Sequence, residues 1–270
     1  MDLLSIILLG LVQGVTEAVP LSSKTQDTLV YLKFLHGDPS MVVPILLYLN
    51  VGSIFSALIY FRLEIWHIAK AFLQKPLDIR AHANGKLGYL FTALLFTGII
   101  GMPLLFLEKK YFPTLDLSIL FALMGAGLLL TGLFLFFQKG AKVRQAPSAT
   151  WKDGVLTGAL QGLSILPGVS RSGSSITGLI WRGFDSESSY HLSFLLSVPT
   201  IFMAELVIGL GGGALASLPL WDGLLLAFSA FVFGYLTIDT VLKIVRRVNL
   251  AYLAFGLGAI IVLASLSGMV

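Results

Sequence analysis

The sequence predicts an all-α polytopic membrane protein with two inverted-topology repeats, each a re-entrant helix hairpin followed by three transmembrane helices. Of the 270 residues, 56% are hydrophobic and only 12% are charged, whereas a soluble domain carries about 25% charged residues. Six apolar segments have about the 20 residues that a helix needs to cross the hydrocarbon core. Two further apolar regions are broken by polar residues, so that neither half of either region can span.

The first repeat covers residues 1–137 and begins with a broken region at 1–40. Its first apolar arm runs into Gln13, Glu17 and Pro20 before a second arm follows. Each arm is too short to cross, so we expect a hairpin that enters the membrane and returns, its polar turn buried in protein or facing water. The three spans that follow are predicted at about 41–61, 87–107 and 117–137.

The second repeat covers residues 153–270 and has the same order of elements. A hairpin at 153–189 is followed by spans at about 190–208, 222–242 and 249–269. Gln13-Gly14-Val15-Thr16 resembles Gln161-Gly162-Leu163-Ser164, 148 positions later. An odd number of crossings in each repeat gives the two copies opposite orientations, a plan typical of transporters, in which the site lies at the repeat interface.

Positive charges predict the orientation. Lys and Arg concentrate in the segments 62–86, 138–152 and 243–248, which are predicted to be loops. The positive-inside rule places all three in the cytoplasm, with 138–152 as the basic loop that joins the repeats. Both termini then lie outside, the first hairpin enters from outside and the second from the cytoplasm.

Composition excludes several classes of function. The chain has no cysteine, which excludes disulfides and thiolate chemistry. No basic tract interleaved with aromatic residues suggests a nucleic-acid partner, and the four histidines lack metal-ligand spacing.

The turn of the second hairpin carries a cation in an apolar region. Arg171 is permanently charged, and its planar fork of donors suits phosphate oxygens. Serine hydroxyls surround it, glycines free the backbone, and a helix predicted to begin near Ser174 would add the positive end of its dipole. We therefore predict an oxyanion cradle; the alternative is a helix cap with Arg171 paired to a structural acid. The neighbours concerned are Gly168, Ser170, Ser172, Gly173, Ser174 and Ser175.

The first hairpin carries a carboxylate, which complements the cation of the second hairpin. Glu17 lies four residues after Gln13, on the same helix face. It could bind a divalent cation, act as a base or pair with Arg171, and the alternative is a buried structural ion pair. A single carboxylate leaves a cation to be completed by phosphate oxygens and waters, which suits Mg²⁺ or Ca²⁺.

The serines after Pro20 are open to two interpretations. Ser22 or Ser23 could be a nucleophile if a base lies beside it, or this run could cap a helix starting near Thr28. Glu205, a carboxylate inside a predicted span, receives no role.

Together these motifs resemble the undecaprenyl-diphosphate phosphatase family, the BacA-type integral membrane enzymes. Gln13–Glu17 is similar to the family's (E/Q)-x-x-x-E motif, and Val19-Pro20-Leu21-Ser22-Ser23 to its L/V-P-x-S-S segment. Pro167-Gly168-Val169-Ser170-Arg171-Ser172 matches the family's P-G-x-S-R-S in full. At the position of the family's catalytic histidine this chain has Gln26, which makes it a divergent member.

The resemblance implies hydrolysis of an undecaprenyl-type diphosphate to the monophosphate and inorganic phosphate, on the outer face of the cell membrane and with Mg²⁺ or Ca²⁺. The reaction recycles the lipid carrier for cell-envelope glycan synthesis and is linked to bacitracin resistance. By position, Glu17 and Gln13 would lie at the metal and acid–base end, Ser23 or a water would be the nucleophile, and Arg171 would bind the diphosphate. Further substrate contacts would come from Ser22, Gln26, Ser170, Ser172, Gly173 and Ser175.

Two matters stay open at this point. A polyprenyl-phosphate flippase or anion carrier on the same fold, without hydrolysis, is the rival function. Besides the prenyl substrate and membrane lipids, a second copy of the chain is a candidate partner in a homodimer.

Overall fold

The computed structural model describes residues 1–74, 78, 82–111, 115–137, 143–212, 217–245 and 248–267, and within these ranges the chain is helical without a β-strand. The side chains of 210–212, 242 and 245 are not described. The α-helices are α1 (Leu3–Thr16), α2 (Ser23–Leu29), α3 (Val42–Tyr60), α4 (Arg62–Gln74), α5 (Lys86–Tyr111), α6 (Leu117–Phe136), α7 (Trp151–Gly162), α8 (Arg171–Trp181), α9 (Ser186–Gly212), α10 (Leu220–Val245) and α11 (Leu250–Leu266). One π-helical turn, Val30–Phe34, extends α2.

Within the described ranges, five stretches of helix are long and apolar enough to cross a membrane. They are Pro39–Tyr60, Lys86–Tyr111, Leu117–Phe136, Ser186–Gly209 and Leu220–Val241. Large apolar side chains such as Phe91, Phe106 and Phe228 point away from the protein, as expected where lipid rather than water is the neighbour. The prediction of an all-α multi-pass membrane protein is therefore confirmed. The sixth predicted span corresponds to α11, an apolar helix of 17 residues.

Both broken regions fold as a helix, a turn and a second short helix. Helices α1, α7 and α8 have 14, 12 and 11 residues. At 1.5 Å per residue these are about 16–21 Å long, less than the hydrocarbon core of about 30 Å. The structure thus has short paired helices where the hairpins were predicted, while their direction of entry and the inverted orientation of the two repeats stay predictions.

Several predicted boundaries were wrong. The segment 62–74, predicted as loop, forms α4, whose exposed Trp66 and Phe72 accompany charged and polar residues, a composition typical of a helix lying at a membrane interface. Helix α8 begins at Arg171 rather than near Ser174, because the Ser170 hydroxyl accepts a hydrogen bond from the Gly173 amide at 3.1 Å and caps the helix earlier. Helix α2 begins at Ser23 rather than near Thr28.

Part of the charge pattern lies outside the described residues. This applies to six of the cations used for the orientation, namely Lys75, Arg80, Lys139, Lys142, Arg246 and Arg247. The placement of the basic segments in the cytoplasm therefore stays a prediction.

The long helices hold the two hairpins through close backbone contacts. Helix α1 lies along α10, and α7 lies along α5. A Cβ added at Gly14 would come within 2.5 Å of the Gly234 amide nitrogen, and one added at Gly162 within 2.6 Å of the Cβ of Ile100. Small residues at these positions let the first helix of each hairpin lie against a spanning helix.

Matching hydrogen bonds occur in the two halves of the chain. The Gln13 amide donates to the Ser53 hydroxyl at 2.9 Å, and the Gln161 amide donates to the Thr200 hydroxyl at 3.0 Å. The glutamines are 148 positions apart and their acceptors 147. Each first hairpin helix is thus joined to the next long helix, α3 or α9, by the same kind of bond.

Candidate active site

Glu17 is the centre of the site. It follows the end of α1, and its Oε2 accepts a hydrogen bond from the Ser23 hydroxyl at 2.6 Å. Its Oε1 pairs with Nη2 of Arg171, 154 positions further along the chain. The two polar turns predicted from sequence therefore meet, with the carboxylate of one held by the guanidinium of the other. Glu17 and Ser23 also have the base-beside-hydroxyl arrangement that an activated serine needs.

The turn between α1 and α2 is strained at Ser22. This residue has φ of 59°, in the left-handed region, which non-glycine residues rarely adopt and which is often found at functional sites. Its side chain makes no capping bond to α2; its hydroxyl lies 3.1 Å from that of Thr25. Ser22 therefore occupies the N-cap position of α2 but does not cap the helix through its side chain, and the turn places Ser23 at the first position of α2.

Helix α6 supports the turn that precedes α8. The Ser170 amide donates to the Thr131 hydroxyl of α6 at 2.9 Å. Gly127 of α6 lies so close to the turn that an added Cβ would be 2.0 Å from the Pro167 carbonyl oxygen. Gly168 has φ of 83°, a conformation that glycine adopts without steric cost. The backbone leading into Arg171 is thus fixed from behind by a spanning helix.

Arg171 has hydrogen-bond donors that its contact with Glu17 does not use. Its side chain is 23% exposed, and its buried Nε has no hydrogen-bond partner among the described residues. The Ser170 and Ser172 hydroxyls lie 3.3 Å apart at the start of the same helix. An unused N–H on a guanidinium at a helix N-terminus is suited to phosphate oxygens.

A row of amides runs from Glu17 into α3 and α9. The Nε2 of Gln13, whose side chain is fully buried, lies 3.2 Å from Glu17 Oε2 and 3.1 Å from Asn50 Oδ1. Asn50 in turn donates from Nδ2 to Oε1 of Glu205 at 2.8 Å. Glu205, which sequence reasoning left without a role, is therefore connected to Glu17.

Three other predicted substrate contacts are engaged within the protein. The Ser175 hydroxyl is fully buried, donates to the Arg171 carbonyl at 3.0 Å and lies 2.6 Å from the Ser193 hydroxyl. Gly173 packs against the side chain of Thr131, and Gln26 donates to the Leu21 carbonyl at 3.4 Å. These contacts stabilise the starts of α8 and α2, and direct contact with substrate stays a prediction for all three residues.

Sequence reasoning missed the second buried carboxylate of the first hairpin. Asp27 is 1% exposed, lies one helical turn after Ser23, and interacts electrostatically with Glu17. Neither of its oxygens has a hydrogen-bond partner among the described residues. Asp27 lies among other polar residues in α2, so sequence alone did not single it out; Asn50 and Ser53 are polar residues within the apolar helix α3, which was an available signal.

The described residues contain no group of three or more His, Cys, Asp or Glu side chains that could hold a metal ion. Glu17 already contacts Ser23, Gln13 and Arg171, whereas the oxygens of Asp27 and the Oε1 of Gln13 have no hydrogen-bond partner in the part of the chain that the structure describes. Such a set fits a hard cation that takes most of its oxygen ligands from phosphate and water.

The chain matches the family model described as bacitracin resistance protein BacA over residues 6–262. It is similar to a protein named undecaprenyl-diphosphatase from Methanococcoides burtonii, with 32% identity over 264 residues, which are 95% of this chain and 96% of the relative. A protein of the same name from Haloarcula marismortui is 35% identical over 242 residues, 90% of this chain and 89% of the relative. Another from Alkaliphilus metalliredigens is 34% identical over 276 residues, 96% of this chain and 98% of the relative.

Proposed function

We propose that this protein is an undecaprenyl-diphosphate phosphatase, because the chain belongs to the family of bacitracin resistance protein BacA. It hydrolyses undecaprenyl diphosphate to undecaprenyl phosphate and inorganic phosphate, and so returns the carrier lipid to cell-envelope glycan synthesis. The observation that carries this proposal is the placement of Glu17 between the Ser23 hydroxyl and the Arg171 guanidinium. The names of the relatives support the same reaction.

The first step that the geometry supports is attack by Ser23. Its Oγ forms a bond to the terminal phosphorus of the diphosphate while its proton passes to Glu17, which already accepts its hydrogen bond at 2.6 Å. The bond from that phosphorus to the bridging oxygen breaks, and undecaprenyl phosphate leaves with the electron pair. Water then attacks the phosphoserine, the serine oxygen leaves and is protonated, and inorganic phosphate is released.

Arg171 binds the charge that develops during this transfer. Phosphoryl transfer depends mainly on positioning and charge neutralisation. One arm of the guanidinium contacts Glu17, while Nε is without a partner among the described residues. The diphosphate would take the free donors together with the hydroxyls of Ser170 and Ser172.

We further propose Mg²⁺ or Ca²⁺ as cofactor, held by Glu17 with Asp27 or Gln13 nearby. The support is that the oxygens of Asp27 and the Oε1 of Gln13 have no hydrogen-bond partner among the residues that the structure describes. When bound, the cation would neutralise charge on the diphosphate, whose own oxygens would supply the rest of its ligands.

The position in the membrane is proposed from the charge pattern. The basic segments 62–86, 138–152 and 243–248 support a cytoplasmic location for these regions, with both termini outside and the pocket open to the outer face. The prenyl tail would lie along the lipid-exposed helices. Every residue proposed for the chemistry comes from one chain, so a homodimer would not be needed to complete the site.

Phosphate release by the purified protein in detergent tests the function. Undecaprenyl and farnesyl diphosphate serve as substrates, with Glu17→Gln, Ser23→Ala and Arg171→Ala as variants. We expect each variant to lose at least about 10²-fold in kcat/KM, the usual cost of removing a group that stabilises or activates in the transition state.

The matched control is Ser267→Ala, an exposed serine just after α11, which should retain full activity. No release by the native protein would favour a flippase or anion carrier on this fold. Near-normal turnover by Arg171→Ala would refute the assignment of the diphosphate site.

A further inference from the structure

Glu205 is a carboxylate in a membrane-spanning helix that the proposed chemistry does not use. It lies in α9, is partly buried, and accepts the Asn50 amide at 2.8 Å. Acidic residues at membrane depth are costly, and they are usually retained for a function. Glu205 interacts electrostatically with Lys24, Arg171 and Glu17, so it faces the site rather than the lipid alone.

The direction of each hydrogen bond in the amide row depends on Glu205. Its Oε1 can only accept from Asn50, so Asn50 must turn its Nδ2 to Glu205 and its Oδ1 to Gln13. Gln13 must then present Nε2, and not its own oxygen, to Asn50 and to Glu17.

The reverse arrangement would be repulsive. If Asn50 flipped, its NH₂ group would face the NH₂ group of Gln13. A flip of Gln13 to relieve that contact would place its Oε1 against the Glu17 carboxylate, acceptor against acceptor. The acceptors at the two ends of the row, Glu17 and Glu205, therefore favour the same orientation of both amides, and without Glu205 the Asn50 end would lose its acceptor.

We propose that Glu205 is a positioning residue for the phosphatase reaction, acting through Asn50 and Gln13 to hold the Glu17 carboxylate in the orientation that meets Ser23. This inference rests on the function proposed above and adds a residue to it. Glu205 does not touch the reacting atoms. Its role requires only a hydrogen-bond acceptor at this place, which a glutamine oxygen also provides.

The test compares Glu205→Met with Glu205→Gln. Methionine is tolerated in a spanning helix, so the variant should fold, and thermal unfolding in detergent checks this. With undecaprenyl diphosphate we expect Glu205→Met to lower kcat about 10- to 100-fold, the range for a lost hydrogen bond in a network to a charged group. KM should stay within about twofold, because Arg171 and α8 are untouched, and Glu205→Gln should stay within about threefold of native kcat.

The control is Leu206→Met, a substitution at an exposed neighbour in the same helix, which should leave kcat unchanged. Native kcat in Glu205→Met would refute the proposal. Equal losses in the methionine and glutamine variants would also refute it, because they would show that the charge of Glu205, and not its acceptor, is required.

A second substitution in the same row of amides, at Asn50, separates a positioning role from a general structural effect. Asn50→Leu should lower kcat to a similar extent, and Asn50→Leu combined with Glu205→Met should be no worse than Asn50→Leu alone. Additive losses would refute a shared route. Phosphate release by the unaltered protein is the separate readout for the reaction itself: its absence refutes the proposed function and this inference together, whereas release with an unaffected Glu205→Met refutes only the role of Glu205.

Discussion

The contact between α6 and the turn before Arg171 allows a prediction from measured distances. In Gly127→Ala the new Cβ would lie 2.0 Å from the Pro167 carbonyl oxygen and 2.8 Å from the Gly168 Cα. Ordinary contact for a Cβ begins at 3.4 Å, so the turn and α6 would have to separate by more than 1 Å. Both neighbours are backbone atoms, and no side-chain rotation can relieve the overlap.

This displacement would act on the chemistry through Arg171. The Ser170 amide would lose its 2.9 Å bond to Thr131 of α6, and the guanidinium one residue later would move relative to Glu17. A misplacement of about 1 Å can cost about 10²-fold in rate, so we expect kcat for undecaprenyl diphosphate to fall about 100-fold. Overpacking should also lower the free energy of unfolding by about 1–3 kcal/mol.

Phosphate release measures the effect, with Gly256→Ala as the matched control. Gly256 lies in α11, and a Cβ added there would meet no atom of the described residues within 4 Å, so the same substitution should leave kcat unchanged and should not lower the unfolding temperature, since alanine favours a helix over glycine. A folded Gly127→Ala protein with native kcat would show that the position of this turn does not govern the reaction.

Two further predictions concern carboxylates. Asp27→Asn should weaken the binding of Mn²⁺, measured by electron paramagnetic resonance in the presence of a non-hydrolysable diphosphate, about tenfold if the oxygens of Asp27 take part in the cation site; unchanged affinity would exclude Asp27. Burial by itself raises the pKa of Glu64, but the hydrogen bonds and charges of His191 and Lys86 outweigh this effect and lower the pKa to about 2. Because the folded-state pKa lies below the ordinary 4.5, the stabilisation is present above that value and lost as the pH falls toward 2. Glu64→Gln should therefore reduce stability by roughly 1–3 kcal/mol at pH 7, and a difference in unfolding temperature from native protein that did not shrink below pH 4 would contradict this.

The helices could be predicted because their causes are local. Five spans follow from uninterrupted apolar length, and the hairpins from polar residues that interrupt it. The boundaries were less accurate because a single cap decides them: the Ser170 hydroxyl starts α8 three residues before the expected position.

The contacts within the site depend on tertiary structure that no local pattern contains. Glu17 and Arg171 were each predicted as functional because a charge in an apolar segment is costly, and their pairing was one of several roles left open for Glu17. The bond between them joins residues 154 positions apart. Asn50 and Glu205, 155 positions apart, were connected by no sequence signal, since an amide within a span is compatible with helix packing alone.

Under the proposed mechanism the site does not depend on a histidine at position 26, where the resemblance found from sequence implies one. Gln26 stands there instead, and its amide donates to the Leu21 carbonyl across the strained turn at Ser22. In that mechanism the base for Ser23 is Glu17, which accepts the hydrogen bond of the Ser23 hydroxyl at 2.6 Å. Proton acceptance then rests on one carboxylate, whose orientation is set by Arg171 on one side and Gln13 on the other. Under this arrangement the rate depends on how firmly Glu17 is held, and residues that never touch substrate acquire influence over the reaction.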